Sequence, residues 1–344
     1  MNHLDLLKLT AARTLDLTFE HSDQPGGIRW RRWDWSIGVA FYGLWKTYEM
    51  TKNEEIPIKM KQWIDQRIDA IEKICVNSNS LLMTMLELNE RDPDEKYEKV
   101  FQTFDRYLMI EGRRTPSGAL EHTVLDNNWA HQVWADTIFM SLLYLAQRGL
   151  ALRNEEYRRE AYKQLDIHCK LLFDPQVNLF VHGWHDVERK PIGVHWGRGN
   201  AWMTAGIVEL LEIAPEDLPQ RRELTDTLHK QLQALSGLQD PSGLWRTVLN
   251  HEETYLETSV TAGVAYGVMK GIRLGLIDPK FRGMGERALS AVADNIDQEG
   301  YVTGGSTGTP VKANALEYNR IAFDITPFTQ GLALLALCEA LRGE

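Results

Sequence analysis

Residues 193–213 read GVHWGRGNAWMTAGIVELLEI, and within a few positions they pass from a Gly- and His-rich loop into an apolar helix. Ala214-Pro215 then breaks the pattern, and apolar residues resume helical spacing over 216–235. Upstream lie a long loop, 172–199, and another helical stretch, 154–171. This unit of long loop, helix, short turn and helix recurs along the chain. Apolar residues at i, i+3, i+4 and i+7 predict twelve helices, at roughly 2–18, 34–51, 55–74, 78–89, 94–110, 132–149, 154–171, 200–213, 216–235, 257–274, 278–295 and 326–342. Asn154 opens one of them, Asp278-Pro279 opens another with Pro in its first turn, and Thr51-Lys52-Asn53 closes a third. No alternating run competes as a strand.

Short connections (52–54, 90–93, 150–153, 214–215, 275–277) follow the even-numbered helices, and long ones (19–33, 111–131, 172–199, 236–256, 296–325) follow the odd-numbered helices; only 75–77 breaks the rule. Six antiparallel helix pairs joined in this way imply an all-α closed ring, one domain over 1–344, with the long loops at one end and the even helices inside. Loops of that length are usually functional or disordered. These carry Trp, His, Asp and Arg in place of filler. Of the eleven tryptophans, Trp30, Trp33, Trp35, Trp129, Trp134, Trp184, Trp196, Trp202 and Trp245 fall in long loops or first turns, which points to an aromatic-lined pocket at that end. Only Trp45 and Trp63 read as plain core.

In Trp196-Gly197-Arg198-Gly199-Asn200-Ala201-Trp202, one guanidinium lies between two indoles at a helix N-terminus, on glycines that allow close backbone approach. Such a grouping suits an acidic, flat-faced molecule such as a uronic acid; equally, it suits a buried structural Arg among core aromatics. The 344 residues are 43% apolar and 25% charged, which suits a globular fold. The net charge of -10 argues against a nucleic-acid partner. Cys75, Cys169 and Cys338 lie in apolar helical runs and read as reduced core residues. The stretch Met1–Phe19 carries Asp5, Lys8, Arg13 and Asp16, which neither a secretory segment nor a membrane span would tolerate. The expectation is a cytoplasmic protein.

Four strings resemble glycoside hydrolase family 105, the unsaturated rhamnogalacturonyl hydrolases, related to the unsaturated glucuronyl hydrolases of family 88. They are WDWSIGVAFYGLWKTYEMT from Trp33, HQVWADTIFMSLLYLA from His131, HWGRGNAWM from His195 and LWRTVLNHEETYLETSVTAGVAYGVMKGIRLG from Leu244. The resemblance implies an (α/α)6 barrel and no cofactor or metal. It also implies removal of a 4,5-unsaturated uronic acid from the non-reducing end of lyase-generated oligosaccharides, such as a rhamnogalacturonan disaccharide, by hydration of the vinyl ether. By the same resemblance Asp136 is the catalytic acid and base, and His182, Trp196, Arg198 and Trp202 hold substrate, with Arg198 on the uronate carboxylate; Trp33, Asp34, Asn77 and Trp134 are further candidates for substrate contact. Ala201 stands where the family commonly has Gly. Where family 88 has a second carboxylate, this chain has Asn77-Ser78-Asn79, so Asn77 can hydrogen-bond a sugar but not ionise. Asp34, within Trp33-Asp34-Trp35, is either a partner carboxyl or the N-cap of its own helix.

A carboxyl beside Trp134, Ile138 and Phe139, close to an anionic substrate, should have its pKa raised and start the cycle protonated. The competing reading makes Asp136 a first-turn acid that complements the helix dipole. Three other functions compete. A conventional glycosidase would need a second carboxyl such as Asp34, Glu257 or Asp324. A metal site could draw on His182, His185, Asp186 and His195, although their spacing matches no rigid ligand pair. A sugar-binding barrel would have no rate to lose. The segment 296–325 reads either as a mobile closing loop or as a lid.

Overall fold

The computed structural model describes residues 1–20 and 30–343. All twelve expected helices are present: α1 (His3–Glu20), α2 (Trp35–Thr51), α3 (Glu55–Asp65), α4 (Leu82–Arg91), α5 (Glu95–Arg106), α6 (Leu143–Ala151), α7 (Glu155–Leu172), α8 (Gly197–Glu212), α9 (Arg221–Leu238), α10 (Thr258–Arg273), α11 (Arg282–Asp294) and α12 (Pro327–Gly343). The even helices pack in succession, and α12 returns against α2 to close the ring. Each odd helix from α3 to α11 lies against an even neighbour, and α1 covers α12 and α2. This is the (α/α)6 barrel.

Residue chemistry separates the two rings. Every residue from Gly197 to Leu211 in α8 and from Thr258 to Ile272 in α10 is buried, whereas α7 and α9 bury one stripe and give the rest to Glu, Arg and Lys. Helices enclosed on all sides need small residues where backbones meet. A Cβ on Gly43 would lie 2.5 Å from the Gly331 carbonyl oxygen, and one on Gly331 would collide with the Val39 carbonyl, so only glycine lets α2 and α12 close the ring this tightly.

Two expectations need correction. Short strands exist where the sequence suggested none, and they belong to the long loops: β1 (Gln132–Trp134), β2 (Gly183–His185) and β3 (Lys190–Ile192) form one antiparallel sheet in that order, beside two-stranded ribbons at Phe173–Asp174 with Leu179–Phe180 and Trp245–Arg246 with Leu256–Glu257. The helix expected over 132–149 therefore begins as β1, passes through a π-helical turn at Ile138–Leu142, and becomes α6 only at Leu143. Val133 and Trp134 look like helix-face residues in the sequence, but β2 claims their backbone. Most of the loop expected at 19–33 lies outside the described residues.

The segment 296–325 is ordered by specific contacts. The Thr258 amide donates to Gly304 O at 2.9 Å, Ser306 bridges to Phe323, and Ala315–Tyr318 forms one helical turn. The three cysteines are free and buried. Among the described residues no helix is long and apolar enough to cross a membrane.

Candidate active site

At the long-loop end the starts of α2 and α8 and the segments that lead into α4 and α6 surround a cavity of about 210 Å³. Asp34 and Trp35 enter it from the head of α2, Asn77 from the turn before α4, Trp134 and Asp136 from the strand-to-helix passage before α6, and Trp196 from just before α8. The loop 111–131 adds His122, Asp126 and Trp129, and Gly308, Thr309 and Pro310 of the C-terminal loop complete the wall. Four tryptophans of the expected aromatic group reach this cavity: Trp35, Trp129, Trp134 and Trp196. Trp202 stands edge-on behind Trp35 with ring centroids 6.3 Å apart. Trp33 is core, its indole donating to Ser78 O at 3.0 Å. Both brace the wall from outside the cavity.

The β1–β2 pairing brings Asp136 and His182 together across 46 positions of sequence. Trp134 pairs with Gly183, and the Ala135 amide donates to His182 O at 3.0 Å. His182 is fully buried, packed against Trp196 at 4.2 Å, and its Nε2 lies 3.6 Å from Asp136 Oδ2. Neither of these two atoms has a hydrogen-bond partner among the described residues. On the other side of the ring the Tyr318 hydroxyl sits 2.6 Å from Nδ1 and accepts from the Lys312 amide at 3.3 Å. That arrangement suits a neutral imidazole that accepts from Tyr318 and turns an Nε2–H toward Asp136. Burial pushes the His182 pKa down, in keeping with the neutral form.

The raised pKa expected for Asp136 counted an anionic substrate; the protein's own groups pull the other way. Burial pushes its carboxyl up, but His182, with His122 adding to the effect, holds it below the ordinary aspartate range. Its side chain keeps 15% exposure, toward the cavity. Asp34 behaves in the opposite way. It caps α2 by accepting from the Trp35 amide at 2.8 Å, and burial raises its pKa to about 6 against the pull of that amide and of Arg32. Asp34 is thus the N-cap of its own helix and also lines the cavity. Asn77 is buried, and its Oδ1 has no partner among the described residues.

Arg198 also departs from expectation, because its guanidinium points away from the cavity. It is fully buried between Trp196 and Phe328, 4.6 Å from each ring centroid, so the second flat face is Phe328 and not Trp202. Nη1 pairs with Glu257 at 2.5 Å and with Ser306 Oγ at 2.9 Å; Nη2 donates to Thr307 O at 2.9 Å and Thr309 Oγ1 at 2.8 Å. Both terminal nitrogens are engaged by α10 and the C-terminal loop, and Arg198 is not among the residues that line the cavity. The loop forms a wall that contacts Arg198 from beneath and His182 through Tyr318.

The histidines considered for a metal are also engaged elsewhere. His195 contacts Asp174 at 3.1 Å, His185 lies near Glu188, and Asp186 accepts from Ser117. His122 escaped the sequence reading. It is buried, stacked on Trp134 at 4.4 Å, with Nδ1 3.0 Å from Thr137 Oγ1. Nothing in its local string marks it out, because Trp134 lies twelve positions away. Phe328 and Tyr318 likewise act through partners more than a hundred positions distant.

These charge states make stability depend on pH. Burial lowers His122 and His168 to about 4, whereas a histidine of the unfolded chain titrates near 6.5. Between those values the unfolded chain holds more protons, so the histidine contribution is complete above about 6.5 and falls as pH drops toward 4. Asp34, raised to about 6, works in the other sense and loses its contribution as pH rises through 6. At pH 5 the two histidines cost about 2 kcal/mol each, against about 1.4 kcal/mol regained from Asp34. The urea midpoint should be lower at pH 5 than at pH 7; an unchanged or higher midpoint would refute the neutral-histidine assignment.

Comparison with known proteins agrees with this architecture. The family model for glycosyl hydrolase family 88 matches residues 12–343. The unsaturated rhamnogalacturonyl hydrolase YesR of Bacillus subtilis (strain 168) is 33% identical over 315 residues, covering 90% of each chain. A crystal structure from Salmonella enterica serovar Paratyphi A, described as a possible member of GH105 family, superposes with a TM-score of 0.94 at 30% identity over 100% of this chain and 95% of the other. The unsaturated glucuronyl hydrolase of Bacillus sp. GL1 shares the fold at 19% identity, with a TM-score of 0.76 over 98% and 96% of the two chains. A match that runs from within α1 through α12 shows that the chain belongs to the glycosyl hydrolases of families 88 and 105.

Proposed function

We propose that this chain is a hydrolase that removes a 4,5-unsaturated uronic acid from the non-reducing end of lyase-generated oligosaccharides, with Asp136 acting on the C4=C5 double bond. The observation that carries the reading is one Asp136 carboxyl, backed by His182, at the wall of an aromatic cavity the size of a single sugar ring. The kinship with an unsaturated rhamnogalacturonyl hydrolase supports the same substrate class.

The chemistry proceeds through an enol ether. A proton added at C4 leaves an oxocarbenium-like centre at C5, which water attacks as it gives up a proton. The resulting hemiketal opens by cleavage of C5–O5, O5 takes up a proton, and the hemiacetal left at C1 expels the next sugar as its free alcohol. One water is consumed. Asp136, held ionised, is suited to the water-activating half of this sequence. Trp134 and Trp196 offer flat apolar faces to the ring, and Asn77 offers a polar group to a hydroxyl. His182 faces Asp136 from 3.6 Å and favours its ionised form, while Arg198, Trp33 and Trp202 hold the wall. Free, buried cysteines suit a reducing cytoplasm, where imported oligosaccharides would be trimmed.

The test is substrate choice. Unsaturated rhamnogalacturonan or glucuronyl disaccharides should lose their double-bond ultraviolet absorbance with turnover, and saturated nitrophenyl glycosides should be inert. Rapid release from a saturated glycoside would replace this reading with a two-carboxylate glycosidase acting at the anomeric carbon.

A further inference from the structure

His182 is a buried imidazole with two nitrogens to satisfy and, being neutral, one proton between them. Burial lowers its pKa, and the ring is held between Trp196, 4.2 Å away, and Trp134, edge-on at 5.1 Å. Nε2 faces Asp136 Oδ2 at 3.6 Å, and Nδ1 faces the Tyr318 hydroxyl at 2.6 Å. With the proton on Nδ1, a bare Nε2 lone pair would face a carboxylate oxygen. Which nitrogen carries the proton is set by the hydrogen bond made at the other.

Tyr318, fully buried, sets it. Its oxygen accepts from the Lys312 amide at 3.3 Å, so its own hydrogen is left to donate to Nδ1. Burial raises the Tyr318 pKa, with the Lys312 and Val194 amides pulling the other way, and the hydroxyl keeps its proton. The backbone makes room for it. Gly193 has φ +79°, and a Cβ there would lie 2.6 Å from the hydroxyl oxygen and 3.1 Å from the His182 Cβ. Tyr318 itself is fastened at the end of a helical turn capped by Asn314, and its carbonyl accepts from the Tyr255 hydroxyl at 3.3 Å.

We infer that Tyr318 is a positioning residue for the reaction: through Nδ1 it keeps the proton of His182 on Nε2, and so keeps an N–H, not a lone pair, turned toward the Asp136 carboxyl. Tyr318 is not among the residues that line the cavity, so it acts through His182 and not on the sugar. The assignment rests on the proposed role of Asp136. An N–H dipole aimed at the carboxylate favours its charged form, and a lone pair in the same place disfavours it. The charged and titratable groups that face the ring are Asp136, Arg198 and His122, and loss of the Tyr318 hydroxyl leaves all three in place.

The test is Tyr318→Phe in the whole protein, which removes one oxygen and keeps the ring. On an unsaturated disaccharide kcat should fall about 10- to 100-fold, as for other outer partners that orient a functional histidine, with KM within about 3-fold. In a His182→Ala background the same change should cost less than about 3-fold, because the ring through which Tyr318 acts is gone. A loss in that background as large as in the wild type would make Tyr318 a structural residue only, and a Phe variant with kcat within about 3-fold of wild type would leave it no part in the reaction; either result overturns the assignment. The tautomer is read without substrate. In the nitrogen NMR spectrum of the wild type, with the His182 signals assigned by their loss in His182→Ala, Nε2 should carry the proton, and the Phe variant should move a share of it to Nδ1. A wild type with the proton on Nδ1 would overturn the inference whether or not the Phe variant folds. A wild type inert on every unsaturated disaccharide would instead overturn the proposed function, an outcome distinct from all of these.

Discussion

Asp136→Asn is expected to lower turnover of an unsaturated disaccharide by about 10³-fold, within the range that a positioned acid–base group supplies. Asparagine keeps the shape of the carboxyl and a polar oxygen toward His182, so the cavity and the fold should survive. What it loses is the capacity to take a proton from water. Affinity for the oligosaccharide should hold or tighten, because one negative charge facing the uronate is gone. Rate measured by absorbance and affinity by calorimetry separate the two quantities. Turnover that stays at the wild-type level would remove Asp136 from the chemistry, and lost affinity with unchanged kcat would make it a binding group.

The second large effect concerns the ion pair beneath the site. Glu257→Ala leaves Arg198 charged and fully buried without its carboxylate partner, and removing one member of such a pair costs about 3–5 kcal/mol. Glu257 Oε1 also accepts from Ser306 Oγ at 2.9 Å, so the same change cuts the loop that supplies Gly308–Pro310. Urea unfolding should show the stability loss, and KM should rise as the wall loosens. Glu257→Gln, which retains an acceptor, should recover part of both. An alanine variant within about 1 kcal/mol of wild type, with KM unmoved, would show that the pair holds nothing in place.

Reading the ring from sequence was feasible because its helices are long and their partners obey one period. The inner helices α8 and α10, the outer α7 and α9, and the alternation of loop lengths all express burial that repeats every few residues. The site resisted in proportion to its dependence on distant partners. Two- and three-residue strands have no period to detect, so β1 read as the start of a helix. Arg198 between glycines and aromatics has the same local signature whether it grips a ligand or a buried glutamate, and Glu257 lies 59 positions further on. Asp136 was singled out through its surrounding string, but the pull of the protein on its carboxyl was not legible there. The deciding neighbour, His182, reaches it only through the β1–β2 register. His122 and Tyr318 left no trace in the local pattern, because their contacts exist only once the loops converge.

The pinning of Gly308–Pro310 through Arg198 and Glu257, together with closure of α12 onto α2, has a consequence for synthesis. A ribosome that has translated as far as α11 holds most of the lining and every carboxylate, yet the substrate chamber still lacks its last panel. A chain truncated before Gly308 is therefore expected to show no turnover of an unsaturated disaccharide, which absorbance would check.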